Sequence, residues 1–441
     1  MKRIALLVGL TLSCSSTPGA PDIGSGGVTA AGGTEPSSGG TGQPATGGSP
    51  PAAGGGTAAG GSGGAGTGGT GTGGTGTGGT GTGGSVAPTL GMNDVTILLP
   101  LPLSSAEPVL LRAFDSADDG EALVPYELVD RLGDDPLGSD SLIFPDTYDR
   151  LHLVAVRFDL CDHETPGPCP TSGDASLRLV FQRLDDSGGA DDTGFHAFYT
   201  ILEAEIPAAL QALAELSLLR TGPAEPLGPS VSLSEDNPAY AEKLRAFVLA
   251  YGGASRLVRL TMNAQSALSA QIKWNLRGLE RQGTDFVDMT ITGTSETIQT
   301  VTLQSDAFFE VEPASDLPQG LGLALDGVAF QAAEEADQLA ALGAFVAIDN
   351  PLTNAPDTVA CVACHTSTVA LAMRSEDLGA DPSSLPGRYE TPFDVSVAEG
   401  KSQTTDFTLR AFGYLNYDPM ISQRVANDTA LVLEDIALRL Q

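Results

Sequence analysis

Periodic apolar spacing begins only near residue 86 and then continues to the end of the chain. "VTILLPLPL" (95–103) is an apolar run stopped by prolines, as a strand would be. "LHLVAVRFDL" (151–160) alternates. It puts His152, Val154, Val156 and Phe158 on one face of a strand, and Leu151, Leu153, Ala155 and Arg157 on the other. "SLRLVFQRL" (176–184) reads the same way, as do "ASRLVRLTM", "AQIKWNLRGL", "DFVDMTITG" and "IQTVTLQS" further on. Helical spacing replaces alternation in "EIPAALQALAELSLL" (205–219), where Ile206, Leu210 and Leu213 recur at i, i+4 and i+7. "NPAYAEKLRAFVLAYGG" (237–253) has Asn237 to cap it, Pro238 in its first turn and Gly252-Gly253 to end it. Two more helices are predicted at "EEADQLAALGAFVAI" (334–348) and "ISQRVANDTALVLEDIALRL" (421–440). Strands with interspersed helices give an α+β fold, with residues 86–330 as its strand-rich main domain.

The first 85 residues follow different rules. Positions 19 to about 85 are mostly Gly, Thr, Ala, Ser and Pro, with only Asp22 and Glu35 charged. Such a tract cannot bury enough apolar surface to offset its ordering entropy, so it is expected to be a disordered linker. As a Gly-rich coil it reaches on the order of 45 Å. Its glycines lack the strand–turn–helix setting and the Lys-Ser/Thr ending of a phosphate-binding loop. Ahead of it, "MKRIALLVGLTLSCSS" pairs a basic start, Lys2-Arg3, with a short apolar run from Ile4 to Leu12. That run is too short to span a bilayer and reads as a targeting signal.

Charge narrows the partners. The formal net charge is −33. The few charged residues of the leader and linker cancel, so all of it belongs to residues 86–441. Such a surface repels phosphate backbones and excludes nucleic acid as a natural partner, while a cationic protein partner suits it.

The chain has five cysteines and four histidines. Cys161 and Cys169 bound the Pro/Gly loop "CDHETPGPC", and in an exported chain they are expected to form a disulfide. His152 reads as packed or exposed on its strand, and His163 and His196 as solvated. "DDSGGADDTG" (185–194) lacks the spacing of a calcium loop and reads as a solvated turn. No Ser-His-Asp set stands out. The concentrated chemistry is at Cys361-Val362-Ala363-Cys364-His365, two thiols and an imidazole within five positions.

Two resemblances follow from these residues. "TLSC" resembles the lipobox of bacterial lipoproteins, with Ser13 as the small residue before the modified cysteine. This implies cleavage before Cys14, lipidation of Cys14 and anchorage to a membrane. Ser15 in the next place favours the outer membrane over inner-membrane retention. The C-x-x-C-H run resembles the haem-attachment signature of c-type cytochromes. This implies one haem c bound covalently through Cys361 and Cys364, with His365 as an axial ligand of its iron. Met420 in "YDPM" stands where that family often presents a distal sulfur, with Met373 as its rival. The implied organisation is a signal peptide at 1–13, a lipid-anchored linker at 14–85, the α+β domain at 86–330, and a small, mostly helical cytochrome c-like domain at 331–441. The implied role is electron transfer at the cell envelope with a cationic redox partner. The alternatives are a peroxidase-like haem enzyme and a surface binding lipoprotein without haem.

Overall fold

The strand-like runs join into one antiparallel sheet of nine strands in this computed structural model, which describes residues 90–439 apart from 103–109, 135–141, 162–165, 171, 266–271, 306–307, 313–319 and 398–408. The expected signal segment, Cys14, the Gly-rich linker and His163 lie outside the described residues. The strands are β1 (Thr96–Leu98), β2 (Leu151–Asp159), β3 (Ala175–Leu184), β4 (Ala190–Ile201), β5 (Leu257–Gln265), β6 (Ile272–Gln282), β7 (Asp285–Asp288), β8 (Ile298–Ser305) and β9 (Phe308–Glu312). They lie side by side in chain order, except that β7 and β8 both pair with β6. A separate hairpin is formed by β10 (Phe412–Leu415) and β11 (Asp418–Ile421). Nine α-helices occur among the described residues: α1 (Met92–Val95), α2 (Tyr126–Gly133), α3 (Ile206–Ser217), α4 (Pro238–Tyr251), α5 (Leu321–Leu325), α6 (Gly327–Ala332), α7 (Glu335–Asp349), α8 (Cys361–Leu378) and α9 (Gln423–Arg439). The fold is therefore α+β.

Alternation in β2 does not divide core from solvent, because all nine of its residues are buried. Both faces of this part of the sheet are covered. Leu177 of β3 pairs with Tyr199 of β4, and both join a core with Leu213 of α3 and Tyr240 and Leu244 of α4. The opposite alternation forms a row across four strands. Arg157 pairs with Arg178, Arg178 with Phe198, and Phe198 with Arg259. Directly paired residues share a face, so three guanidiniums and a ring stand in line there.

Residues 331–441 are built onto the sheet. Phe345 of α7 and Val362 and Val369 of α8 share a core with Trp274, Leu276 and Val301. Val432, Leu433 and Ile436 of α9 belong instead to the core that holds β2 and β3. The described residues fall in a single unit, Thr82–Gln441. The β10–β11 hairpin is an element that the sequence pattern did not suggest. Asn416 turns it at φ 53°, and Gln182 of β3 clamps Tyr414, accepting from its N–H at 2.7 Å and donating to its carbonyl at 2.8 Å. Tyr414 in turn donates its hydroxyl to the Leu99 carbonyl at 2.7 Å.

Cys161 and Cys169 are joined by a disulfide, with their Cα atoms 5.6 Å apart. The Cys169 N–H donates to Asp435 of α9 at 2.8 Å, and the Gly167 N–H donates to the Pro351 carbonyl at 3.0 Å. Closing so short a loop stabilises by roughly 2–3 kcal/mol through the unfolded chain. The Cys161→Ser/Cys169→Ser double variant should lose about that much in denaturant unfolding, with its circular dichroism unchanged.

Candidate functional site

Helix α8 opens directly on the cysteine pair. Ala360 is extended at its N-cap, Cys361 is its first residue, and Gly379 ends it in the left-handed region at φ 65°. At helical spacing Cys361, Cys364 and His365 (i, i+3, i+4) fall on one face. Val362, Ala363, Thr366, Val369 and Ala370 are buried on the others. The Val362 N–H donates to the Gln299 side chain of β8 at 3.0 Å, and Ser367 donates to Asp349 of α7 at 2.9 Å. These bonds fix the rotation of α8 about its axis, and with it the direction of the thiols.

That face looks into a cavity. Its floor is the sheet row, with Arg178, Phe198 and Arg259. Its roof is Cys361, Cys364 and His365, and Arg424 and Asp428 of α9 close one side. Five guanidiniums and two carboxylates line it, so nearly a quarter of the chain's 22 basic residues gather here. They are braced. Arg178 lies 4.5 Å over the Phe198 ring, Arg259 grips Asp357 with two bonds at 2.9 and 3.1 Å, and Arg424 meets Asp428 at 2.8 Å. The cavity, partly open to the surface, has a volume of about 160 Å³.

His365 is held in one tautomer. Its Nδ1 lies 2.7 Å from the Leu409 carbonyl, which can only accept, so Nδ1 carries the proton. Nε2 is then the nitrogen with a lone pair, the arrangement metal-binding imidazoles adopt. The Asn263 side chain of β5 donates to the same carbonyl at 3.2 Å. Burial pushes the His365 imidazole down to about 4, with the Leu409 carbonyl opposing the shift. Burial likewise pushes the Cys361 thiol up to about 11 and that of Cys364 up to about 12. The thiols keep some accessible surface, but it faces the cavity, where the protein surrounds them. They are poor thiolate nucleophiles, which disfavours thiol–disulfide exchange despite the C-x-x-C spacing.

The remaining candidates separate. Met420, expected as the distal sulfur, is buried in β11 opposite Gly413 and is not among the cavity-lining residues. Met373 packs in the α7–α8 core, on a later turn of α8. Two other methionines line the cavity, Met262 and Met289. His196, read as solvated from the sequence, instead lies in β4 on the cavity floor, and burial together with Arg178 and its neighbours holds its imidazole well below the usual range. The alternation of "GFHAFYT" was the available signal for this strand. His152 is buried, with Nδ1 donating to the Arg150 carbonyl at 2.6 Å. A larger groove of about 820 Å³ adjoins His152 and holds none of the cysteines. In "DDSGGADDTG" only the first half is a turn, with Asp185 accepting from the Ser187 and Gly189 N–H groups. Ala190 already begins β4.

Comparison with protein-family models, with curated proteins and with solved structures finds no match to this chain. Among the described residues no group of three or more His, Cys, Asp and Glu side chains is placed to hold a metal ion by itself.

Asp349 supplies a pH test. It is buried beside Ser367, Arg424 and Asp428, and desolvation pushes its carboxyl up to about 7. A carboxyl raised in the fold adds stability below its ordinary value near 4 that is lost as pH rises through 7. The lowered His365 acts oppositely, adding stability above pH 6.5 that is lost as pH falls towards 4. Asp349→Asn removes only the first contribution. In protein with free Cys361 and Cys364 thiols, the variant should gain on wild type as pH rises from 4 to 8, on the order of a few kcal/mol. Urea unfolding across that range checks it.

Proposed function

We propose that this chain is an exported, lipid-anchored c-type haem protein that transfers electrons at the cell envelope. The observation that carries this reading is the single helix face holding Cys361, Cys364 and His365 over a cavity, with Leu409 fixing Nδ1 and leaving Nε2 as the donor. Each cysteine Sγ–H would add across one vinyl group. Cys361 and Cys364 would thus hold the porphyrin through two thioether links, the thiol proton going to the neighbouring vinyl carbon, without net redox change. The two intervening residues separate the thiols to suit vinyl groups on one side of the ring. His365 would supply an axial nitrogen. When bound, haem provides a one-electron couple that amino-acid side chains do not offer.

The donor set fits this group, and so does the charge of the lining. Haem carries two propionates, and Arg178 and Arg259 present guanidiniums from the floor in an otherwise acidic molecule. The cavity of about 160 Å³ is smaller than the roughly 300–1,000 Å³ of pockets that take drug-sized ligands. A porphyrin would require the unbranched Met289 side chain at the cavity wall to fold back. The net charge of −33 would draw a cationic redox protein by long-range attraction that salt screens. Cys14 and the tract that follows it would keep the folded unit near the outer membrane on a flexible leash.

The test is expression of the full chain, with its leader, in a host with cytochrome-maturation machinery. Wild-type protein should stain for haem on a denaturing gel. Cys361→Ser/Cys364→Ser protein should lose the stain, and Cys14→Ser should keep it but leave the membrane fraction. A secreted wild-type protein with two unmodified thiols by mass spectrometry would sink the proposal.

A further inference from the structure

We infer, on the reading that haem is attached at Cys361 and Cys364, that His196 is the second axial ligand of its iron, so that two imidazoles and no methionine sulfur hold the metal. His196 pairs with Thr261, and strand alternation puts Gly194, His196 and Phe198 on the face that carries Thr261 and Asn263 of β5. Asn263 reaches to 3.4 Å from His365 Nδ1. Diagonal neighbours on adjacent strands have Cα atoms about 7–8 Å apart. His196 thus stands beside the strand position on which His365 rests. Both rings line the same cavity.

Partners set His196 apart from the other described histidines. His152 and His365 each have a ring nitrogen tied to a backbone carbonyl. Among the described residues no hydrogen bond engages the His196 ring. The ring is partly buried and lines the cavity, so its nitrogens are open to a ligand there. The surrounding guanidiniums of Arg157, Arg178 and Arg410 are close enough to act on its charge. They are donors only and cannot accept from an imidazole.

The sulfurs are less well placed. Met420 is away from the cavity lining. Met262 has the opposite alternation to Thr261, pairing with Phe195 and Arg277, and belongs to the hydrophobic core of the sheet. Met289 is the competitor on the correct face, its Sδ lying where a Cβ on Gly278 would stand, next to Thr261.

Full-length matured protein distinguishes the possibilities. Oxidised wild type should be low-spin by electron paramagnetic resonance and lack the far-red sulfur-to-iron absorption. The reduced form should lack the strongly shifted methyl signal of a ligated methionine in its proton spectrum. His196→Leu should keep covalent haem by mass, turn high-spin and bind carbon monoxide at least tenfold more tightly. His196→Met should restore the low-spin state with the sulfur band and a higher midpoint potential. A sulfur band or shifted methyl in wild type overturns the inference even if His196→Leu fails to fold. So does a low-spin His196→Leu protein, or a spin change in Met289→Leu. Failure of the underlying reading looks different, because wild type would then carry no covalent haem by mass at all.

Discussion

The Leu409 carbonyl is the point on which the site depends. It accepts from His365 of α8 and from Asn263 of β5, so one oxygen joins the helix, the sheet and the segment leading into β10. A carbonyl has two lone pairs, and using both in the interior removes the cost of burying it. The same contact decides which imidazole nitrogen keeps its proton. Without it, α8 would still pack by its apolar residues, but His365 would be free to turn, and the direction of its donor nitrogen would be lost.

Around that contact the molecule gathers cations that its composition hardly suggests. A buried guanidinium is tolerated only when paired, and the pairing is systematic. Arg157 meets Asp159 at 2.6 Å, and Arg410 meets Asp192 at 3.2 Å. Asp192 also accepts from the Trp274 indole at 2.7 Å. Gly194 is part of this design, since a Cβ there would run into the Arg410 guanidinium. The result is a floor of fixed positive groups beneath a helix of thiols and imidazole, inside an acidic shell.

Much of the local structure was legible in the sequence. Alternation found β2, β3, β5, β6 and β8 close to their observed bounds, and helical spacing found α3, α4, α7 and α9. What failed was non-local. β10 and β11 are short and contain Gly413 and Pro419, so propensity opposes them; they exist because Gln182, far away in sequence, supplies bonds to Tyr414. Asp191 and Asp192 looked like turn residues and are strand residues, because Arg183 and Arg410 meet them. The site was legible in its motif and illegible in its surroundings. His196 and the arginine row come from strands whose register brings them together, and a one-residue slip would turn them to the other face. Met420 looked suitable by its place in the chain, yet pairing with Gly413 carries it off.

The bridged loop between β2 and β3 has a consequence for when the molecule is finished. Its main chain fastens to Pro351 and to Asp435, two points in the last hundred residues. The clasp is therefore secure only after the chain has been completed and has met an oxidant. Meanwhile Cys361 and Cys364 must escape that same oxidant if they are to bond anything other than each other. Were a group to be attached at Cys361 and Cys364, the two pairs of sulfurs would need opposite treatment, and the second pair faces a cavity within the protein.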